Sequence, residues 1–172
     1  MAGRFRVVDT GVLEGRFNIA IDQAMIDEHQ AGRIPDTLRF MRFPPTALIG
    51  RHQALRQEVD VDYCHAHGIG TVRRITGGGA IYLDEGQLGW GLVFQRKALG
   101  ATCLAGLASD ICEAVAAGLR RLGVDARYRP RNDIEVDGRK ISGTGGFFDG
   151  DTLIYQGTVL VDMDPAAMVA AL

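Results

Sequence analysis

Apolar residues recur at helical spacing in two long segments of the chain. Phe17, Ile21, Ala24 and Met25 line one face of a segment from Gly11 to Ala31, with Asp22, Gln23 and Asp27 on the others and Asn18 as the expected N-cap. Leu104, Leu107, Ile111, Val115, Leu119 and Leu122 form the second and clearer stripe, stopped by Gly123. Val59 to His67 reads as a shorter helix closed by Gly68. Near the end, Asp164-Pro165 pairs a capping side chain with a proline at the first helical position and opens a last helix running to Leu172.

Strand patterns fill the intervals. Thr37 to Phe43 and Ala47 to Gly50 are strand-like and are parted by Pro44-Pro45, which enforce a break. Thr71 to Phe94 alternates apolar runs with glycines and predicts a strand, a glycine loop, then one or two more strands. Ile134 to Val136 and Arg139 to Ile141 flank Asp137-Gly138, a pair suited to a type I′ hairpin turn, and Leu153 to Val161 reads as a further strand. Helices alternate here with groups of hairpin-linked strands, which predicts an α+β fold: a mixed, largely antiparallel β-sheet flanked by helices. A length of 172 residues without internal repeats predicts one domain, 1–172. The last helix reaches Leu172 without a C-cap, and the expectation is a domain incomplete at its C-terminal end, completed by a second chain or a C-terminal segment.

Composition narrows the function. Hydrophobic residues at 47% and charged residues at 23% are ordinary globular usage and exclude a disordered chain, a coiled coil or a collagen-like repeat. Nineteen Lys and Arg against 21 Asp and Glu leave a net charge of −2, so no nucleic-acid partner is expected. No apolar run approaches the ~20 residues of a membrane span and no secretory h-region follows the first residues, so no membrane partner and a cytoplasmic location are expected. Three cysteines at irregular spacing make no disulfide framework, and Cys64, His65 and His67 lack a second ligand pair at zinc-site spacing. The 23 glycines stand well above the ~7% norm and point to tight turns and close backbone approaches.

Two constellations could carry chemistry. In Arg73-Arg74-Ile75-Thr76-Gly77-Gly78-Gly79-Ala80, three adjacent glycines are entropically costly, but they let backbone N–H groups converge on a ligand. The arginines before them suit a phosphate or carboxylate. The second runs from Arg131 to Gly143. Its Lys140 sits in an apolar hairpin, where it and Arg139 should point to opposite faces, and an inward lysine is a compact charge for a phosphate or carbonyl oxygen. Asn132 and Asp133 before the strand suit a ribose, an adenine edge or a metal ion. The alternative for both stretches is an ordinary loop and an ordinary hairpin with solvated charges.

Together these stretches resemble the lipoate–protein ligase family of the biotin/lipoate ligase superfamily. Supporting matches are Asn18-Ile19-Ala20, Pro44-Pro45-Thr46, Ile49-Gly50-Arg51-His52-Gln53 and Gln156-Gly157-Thr158, and the resemblance runs from about Phe17 to Leu172. It implies the mixed sheet shared with biotin ligases. It also implies an enzyme that activates lipoate with ATP and Mg2+ to lipoyl-adenylate, then passes the acyl group to a lysine of a lipoyl-acceptor protein domain. By the same resemblance, Arg74, Thr76, Gly77, Gly78, Gly79 and Ala80 wrap the lipoyl chain and adenylate, and Lys140 contacts the acyl-phosphate. Asn132 and Asp133 lie on the nucleotide and magnesium side, with Asp133 a possible Mg2+ contact, and Gly157 and Thr158 lie beside the acyl group. Leu83-Asp84, Gln156-Gly157-Thr158 and Gly143-Thr144-Gly145 stand where the family often has His-Asp, His-Gly-Thr and Gly-Ser-Ala, which changes the polar contacts of the acyl pocket.

The rival readings are an octanoyl or lipoyl transferase between carrier proteins and a lipoate- or adenylate-binding module inactive without a partner chain. Cysteine-dependent transferases of this kind carry their acyl group on a thiol close to the lysine hairpin, and no cysteine lies between Cys112 and Leu172. The basic residues Arg120, Arg121, Arg127, Arg129 and Arg131 read as a solvated face, with docking of an acidic acceptor domain as the alternative.

Overall fold

The computed structural model describes residues 5–96 and 103–172. Its elements in chain order are β1 (Arg6–Val12), α1 (Gly15–Gln30), β2 (Thr37–Arg42), β3 (Thr46–Ile49), α2 (Leu55–Glu58), α3 (Val61–Ala66), β4 (Gly70–Arg73), β5 (Ile81–Leu83) and β6 (Gln87–Gln95). Then follow α4 (Leu104–Arg121), β7 (Arg127–Arg129), β8 (Asp133–Val136), β9 (Arg139–Asp149), β10 (Thr152–Leu160) and α5 (Pro165–Ala171).

The strands form a larger sheet of order β1-β2-β6-β10-β9-β8-β7 and a smaller one of order β4-β3-β5. Among the described residues only the β1–β2 and β3–β4 pairs are parallel, so the sheets are mixed and largely antiparallel, as the sequence predicts. Pro44-Pro45 turn out to mark a change of sheet: β2 before them belongs to the larger sheet and β3 after them to the smaller.

Helix α1 lies between the sheets. Its Met25 and Ile26 pack on Val93 and Ile154 of the larger sheet, and Gly15 at its start faces Thr46 and Val72 of the smaller one. Helix α4 covers the opposite face, where Leu107, Ala108 and Ile111 meet Trp90, Phe94, Leu153 and Tyr155. Covered on both faces, β6 and β10 read as near-continuous apolar runs rather than alternating ones. On the smaller sheet, Cys64 of α3 and Ala171 of α5 join Ala47, Ile49 and Tyr82.

Three sequence expectations need correction. Arg6–Val12 is a strand, and α1 begins only at Gly15. Asn18 is not its N-cap: Glu14 holds that position without a side-chain hydrogen bond, while Asn18 is buried inside the helix and its Nδ2 donates to the carbonyls of Leu13 and Arg42, 2.9 Å each. The helix expected over Val59–His67 is the shorter α3, Val61–Ala66, with a separate α2, Leu55–Glu58, ahead of it, and the Asp60 side chain caps α3 by accepting from the Tyr63 N–H at 2.8 Å. The hairpin and the final helix match their signals. Asp137 and Gly138 have φ of 50° and 74°, as a type I′ turn requires, and the Asp164 side chain accepts from the N–H groups of Ala166 and Ala167. Among the described residues no helix is long and apolar enough to cross a membrane.

Candidate active site

A cavity of about 540 Å3 opens between the two sheets. Met41, Phe43, Leu48, Leu83, Leu160 and Met168 supply apolar wall, and residues 76–80, Lys140, Asn132 and Gln156 supply polar edges and backbone. All the singled-out residues except Asp133 line it: Arg74, Thr76, Gly77, Gly78, Gly79, Ala80, Asn132, Lys140, Gly157 and Thr158.

Lys140 reaches the cavity face through an irregularity in its hairpin. Glu135 pairs with Lys140 but Ile134 pairs with Ser142, so β9 carries an extra residue at this point, a β-bulge. Simple alternation would put Lys140 on the side of Ser142 and Thr144, where Thr144 meets Cys112 of α4 at 3.4 Å. Instead Lys140 shares a face with Gly143, whose missing Cβ would lie 3.1 Å from Lys140 Cε. Its Nζ sits 2.7 Å from Asp133 Oδ1, and Arg129 Nη2 holds Asp133 Oδ2 at 2.7 Å. Burial acts against the Asp133 charge, but the Lys140 and Arg129 contacts outweigh it and hold the carboxyl below its ordinary value. Arg139 is exposed.

The glycine loop is braced from within. Arg74 Nη2 donates to the carbonyls of Gly77 and Gly79, 2.8 Å each, and Nη1 donates to the Leu48 carbonyl at 3.3 Å. Among the described residues no carboxylate pairs with this guanidinium, and burial lowers its affinity for the proton. Gly78 has a φ of 98°, and a Cβ there would lie 2.9 Å from Arg74 Nη2, whereas Gly77 and Gly79 face open space. The Gly78 carbonyl in turn rests on Gly50, where a Cβ would come within 2.0 Å of it. So Gly78 and Gly50 are glycines for the loop's own folding, and Gly77 and Gly79 are the positions where backbone lies bare to a ligand.

Gly157 has a further reason to be glycine. It pairs with Trp90, and a Cβ on it would lie 2.4 Å from the Trp90 ring and 2.9 Å from the Thr144 methyl. The indole fills its space on the α4 side, so its contribution to the cavity is backbone. Asn132 is fixed by Thr144: Nδ2 donates to the Thr144 carbonyl at 2.7 Å, and the Asn132 carbonyl accepts from the Thr144 amide at 3.0 Å and from its hydroxyl at 2.9 Å.

One group of cavity residues escaped the sequence reading. Asp22 lines the cavity. Its Oδ2 accepts from Gln156 Nε2 at 2.5 Å and its Oδ1 from Arg39 Nη1 at 2.8 Å. Arg39 is fully buried and also donates to the Asn18 carbonyl and to Thr10 Oγ1. Burial pushes the Asp22 carboxyl up to about 6 despite the opposing pull of Arg39. An available signal is the charge at Arg39 between Leu38 and Phe40 in the middle of a strand, which needs a buried partner if it faces inward.

Asp133 does not fit a directly bound Mg2+, because both its oxygens face cations, and no group of three or more His, Cys, Asp or Glu among the described residues could hold a metal ion. The basic residues are largely engaged: Arg120 donates to the Ala126 carbonyl, Arg127 pairs with Asp125, and Arg129 with Asp133 and Glu135.

A family model described as the lipoyl protein ligase A/B catalytic domain matches residues 14–172. Octanoyltransferase LipM of Geobacillus kaustophilus is 30% identical, with 93% of this chain aligned to 66% of that protein, so the chain spans about two thirds of its length. Lipoate-protein ligase A subunit 1 of Thermoplasma acidophilum is 32% identical, over 100% of this chain and 68% of that one. Among solved structures, a bipartite lipoate protein ligase with its E2 lipoyl domain from Thermoplasma acidophilum superposes with a TM-score of 0.89 at 29% identity, covering 99% of this chain and 66% of that chain. A lipoate-protein ligase A bound with ATP gives 0.87 at 31% identity, covering 100% and 72%. A biotin protein ligase mutant of Aquifex aeolicus, at 0.55 and 12% identity over 93% and 55%, shares the fold alone.

Proposed function

From the membership of this chain in the lipoyl protein ligase A/B catalytic-domain family, we propose that it forms an acyl-adenylate from ATP and lipoate and hands the acyl group to a lysine of a lipoyl-acceptor domain. In the first step a carboxylate oxygen attacks the α-phosphorus of ATP and pyrophosphate leaves. In the second the acceptor amine attacks the acyl carbonyl, AMP leaves, and the amine proton passes to solvent. The apolar wall takes the acyl chain. Lys140 and the bare N–H groups at Gly77 and Gly79 face the anhydride, where charge develops on the carbonyl oxygen and the leaving phosphate. No nucleophilic side chain is needed, since positioning of the two substrates supplies much of the acceleration. Mg2+ would come as part of the ATP substrate and would offset charge on its phosphates.

The observation that carries ligation over thiol-dependent transfer is the placement of the cysteines. Cys64 is buried under the smaller sheet, Cys103 precedes α4 and is exposed, and Cys112 is buried behind β9, so none of the three lines the cavity around Lys140. The similarity to a subunit and to a bipartite ligase supports a second chain as partner and an E2-type lipoyl domain as acceptor.

The deciding experiment measures lipoate-dependent exchange of pyrophosphate into ATP, with and without a candidate second chain. Exchange supports the ligase. ATP-independent movement of an octanoyl group between carrier proteins would replace it with a transferase, and lipoate binding with neither activity in any combination would leave a binding module.

A further inference from the structure

Behind the cavity wall a chain of polar groups runs from α4 to the rim of the site. The Thr144 hydroxyl lies 2.9 Å from the Asn132 carbonyl and 2.7 Å from the Tyr155 hydroxyl. A carbonyl can only accept, so Thr144 spends its one proton on Asn132 and must accept from Tyr155. Tyr155 is 2% exposed, and burial pushes its hydroxyl well above the ordinary value, so it keeps the proton it donates. The Cys112 thiol approaches from α4, 3.4 Å from Thr144 Oγ1 and 3.9 Å from the Tyr155 hydroxyl. The Tyr155 and Thr144 protons therefore both point toward the Asn132 backbone carbonyl.

The consequence lies at the far end. The Asn132 side chain donates one of its two Nδ2 hydrogens to the Thr144 backbone carbonyl, which fixes which way its amide is turned. Among the described residues Oδ1 takes no hydrogen bond, and Asn132 lies exposed on the cavity lining. Oδ1 is thereby left as an open acceptor, and an acceptor oxygen repels a phosphate oxygen. Its complement is an O–H or N–H donor.

Resting on the ligase reading, we infer that Thr144 is a positioning residue: its carbonyl turns the Asn132 carboxamide and its hydroxyl, braced by Tyr155, pins the Asn132 backbone, so that Oδ1 accepts from a donor group of the bound nucleotide, a sugar hydroxyl or the base's exocyclic amine. The phosphates are left to Lys140 and the glycine loop.

The test uses the full chain, with its second chain if activity requires one, and reads kcat and KM separately for ATP and for lipoate. Thr144→Val keeps shape and loses the hydroxyl; it should raise the KM for ATP roughly 3–10-fold, the loss of one neutral hydrogen bond, and leave the KM for lipoate unchanged. Thr144→Ser should restore the parent value, and Tyr155→Phe should give a smaller rise in the same constant. Asn132→Ala should match Thr144→Val on ATP and lose its effect on whichever analogue lacks the recognised donor, among 2′-deoxy-ATP, 3′-deoxy-ATP and ITP. Equal losses for ATP and lipoate in both Thr144→Val and Tyr155→Phe, or an Asn132→Ala penalty identical on every analogue, overturns the inference while leaving the ligase intact. If Thr144→Val melts too low to assay, Tyr155→Phe with its ATP-selective readout decides. A parent protein that binds no ATP overturns both the inference and the reading beneath it.

Discussion

Lys140 and Asp133 meet across the β8–β9 hairpin, with 2.7 Å between Nζ and Oδ1. The lysine side chain is 49% exposed and the aspartate 17%, so the pair is tethered yet still reachable from the cavity. Asp133 keeps Arg129 on its second oxygen, so Lys140 can swing toward an incoming anion without stranding a lone buried carboxylate.

Lys140→Ala is therefore expected to cut lipoate-dependent pyrophosphate exchange about 100–1000-fold, the ~2.7–4 kcal/mol of one preorganised donor. Thermal stability should hold, because a half-exposed ion pair contributes about 0–1 kcal/mol. Arg139→Ala, on the solvent side, should leave the rate near the parent value. Exchange at parental rate in Lys140→Ala would remove the lysine from its assigned role.

Gly78 and Gly79 should part company. Alanine at Gly78 must adopt a left-handed backbone and displace the Arg74 guanidinium, costing about 1–2 kcal/mol for the backbone alone. Alanine at Gly79 meets open space, so it should fold as well as the parent and instead weaken binding of a non-hydrolysable lipoyl-adenylate mimic. Calorimetric titration with paired melting curves checks both. Unchanged affinity in Gly79→Ala would mean that no ligand touches the loop there.

How much of this was legible in the chain follows from what each signal depends on. The helical stripe around Leu107 and Ile111, the Asp137-Gly138 turn and the Asp164-Pro165 helix start are local chemistry, and all appear as read. Strand β1 was missed because it pairs with β2 by backbone at a sheet edge and buries little of its own surface. Strand β9 was read as ending at Ile141 because Gly143, Gly145 and Gly146 look like a loop. Yet a Cβ at Gly146 would lie 2.2 Å from the Ile154 carbonyl, a close approach that only the partner strand reveals. In the site, the glycine and lysine stretches were visible as runs of sequence. The Asp22–Gln156 contact, 134 residues apart in the chain, and the bulge that turns Lys140 inward exist only once the sheet has formed.

Trp90 makes the fit at Gly157 measurable, since it is the single tryptophan of the chain. Gly157→Ala must push the indole or the strand aside, and overpacking of this kind costs about 1–3 kcal/mol. A lower melting temperature should come with a shifted Trp90 emission maximum. An unshifted spectrum with parental stability would mean that the indole does not fill the space of the missing side chain.

The last prediction concerns Asp22, a carboxyl raised to about 6 in the folded chain from an ordinary 3.8. Between those values the folded protein holds a proton that the unfolded chain has released. Stability from this group therefore falls as pH rises from about 4 to about 6, then levels off. The sign is opposite to that of a paired surface carboxylate such as Asp133, whose lowered value makes stability fall with acid. Asp22→Asn removes the titrating group but keeps an acceptor for Arg39, so its urea-unfolding free energy should lack this downward step. The difference from the parent should change across pH 4–6 and be flat above. At pH 7.5 the Asn variant should be as stable as the parent or more so, because burial works against the carboxylate charge more strongly than Arg39 supports it. Asp22→Ala should behave otherwise: it removes the acceptor itself and leaves a buried donor of Arg39 without its hydrogen bond, a loss of about 1–3 kcal/mol. A parent-minus-Asn difference that is constant from pH 4 to 8 would show that Asp22 titrates in its ordinary range and that Arg39 holds it ionised.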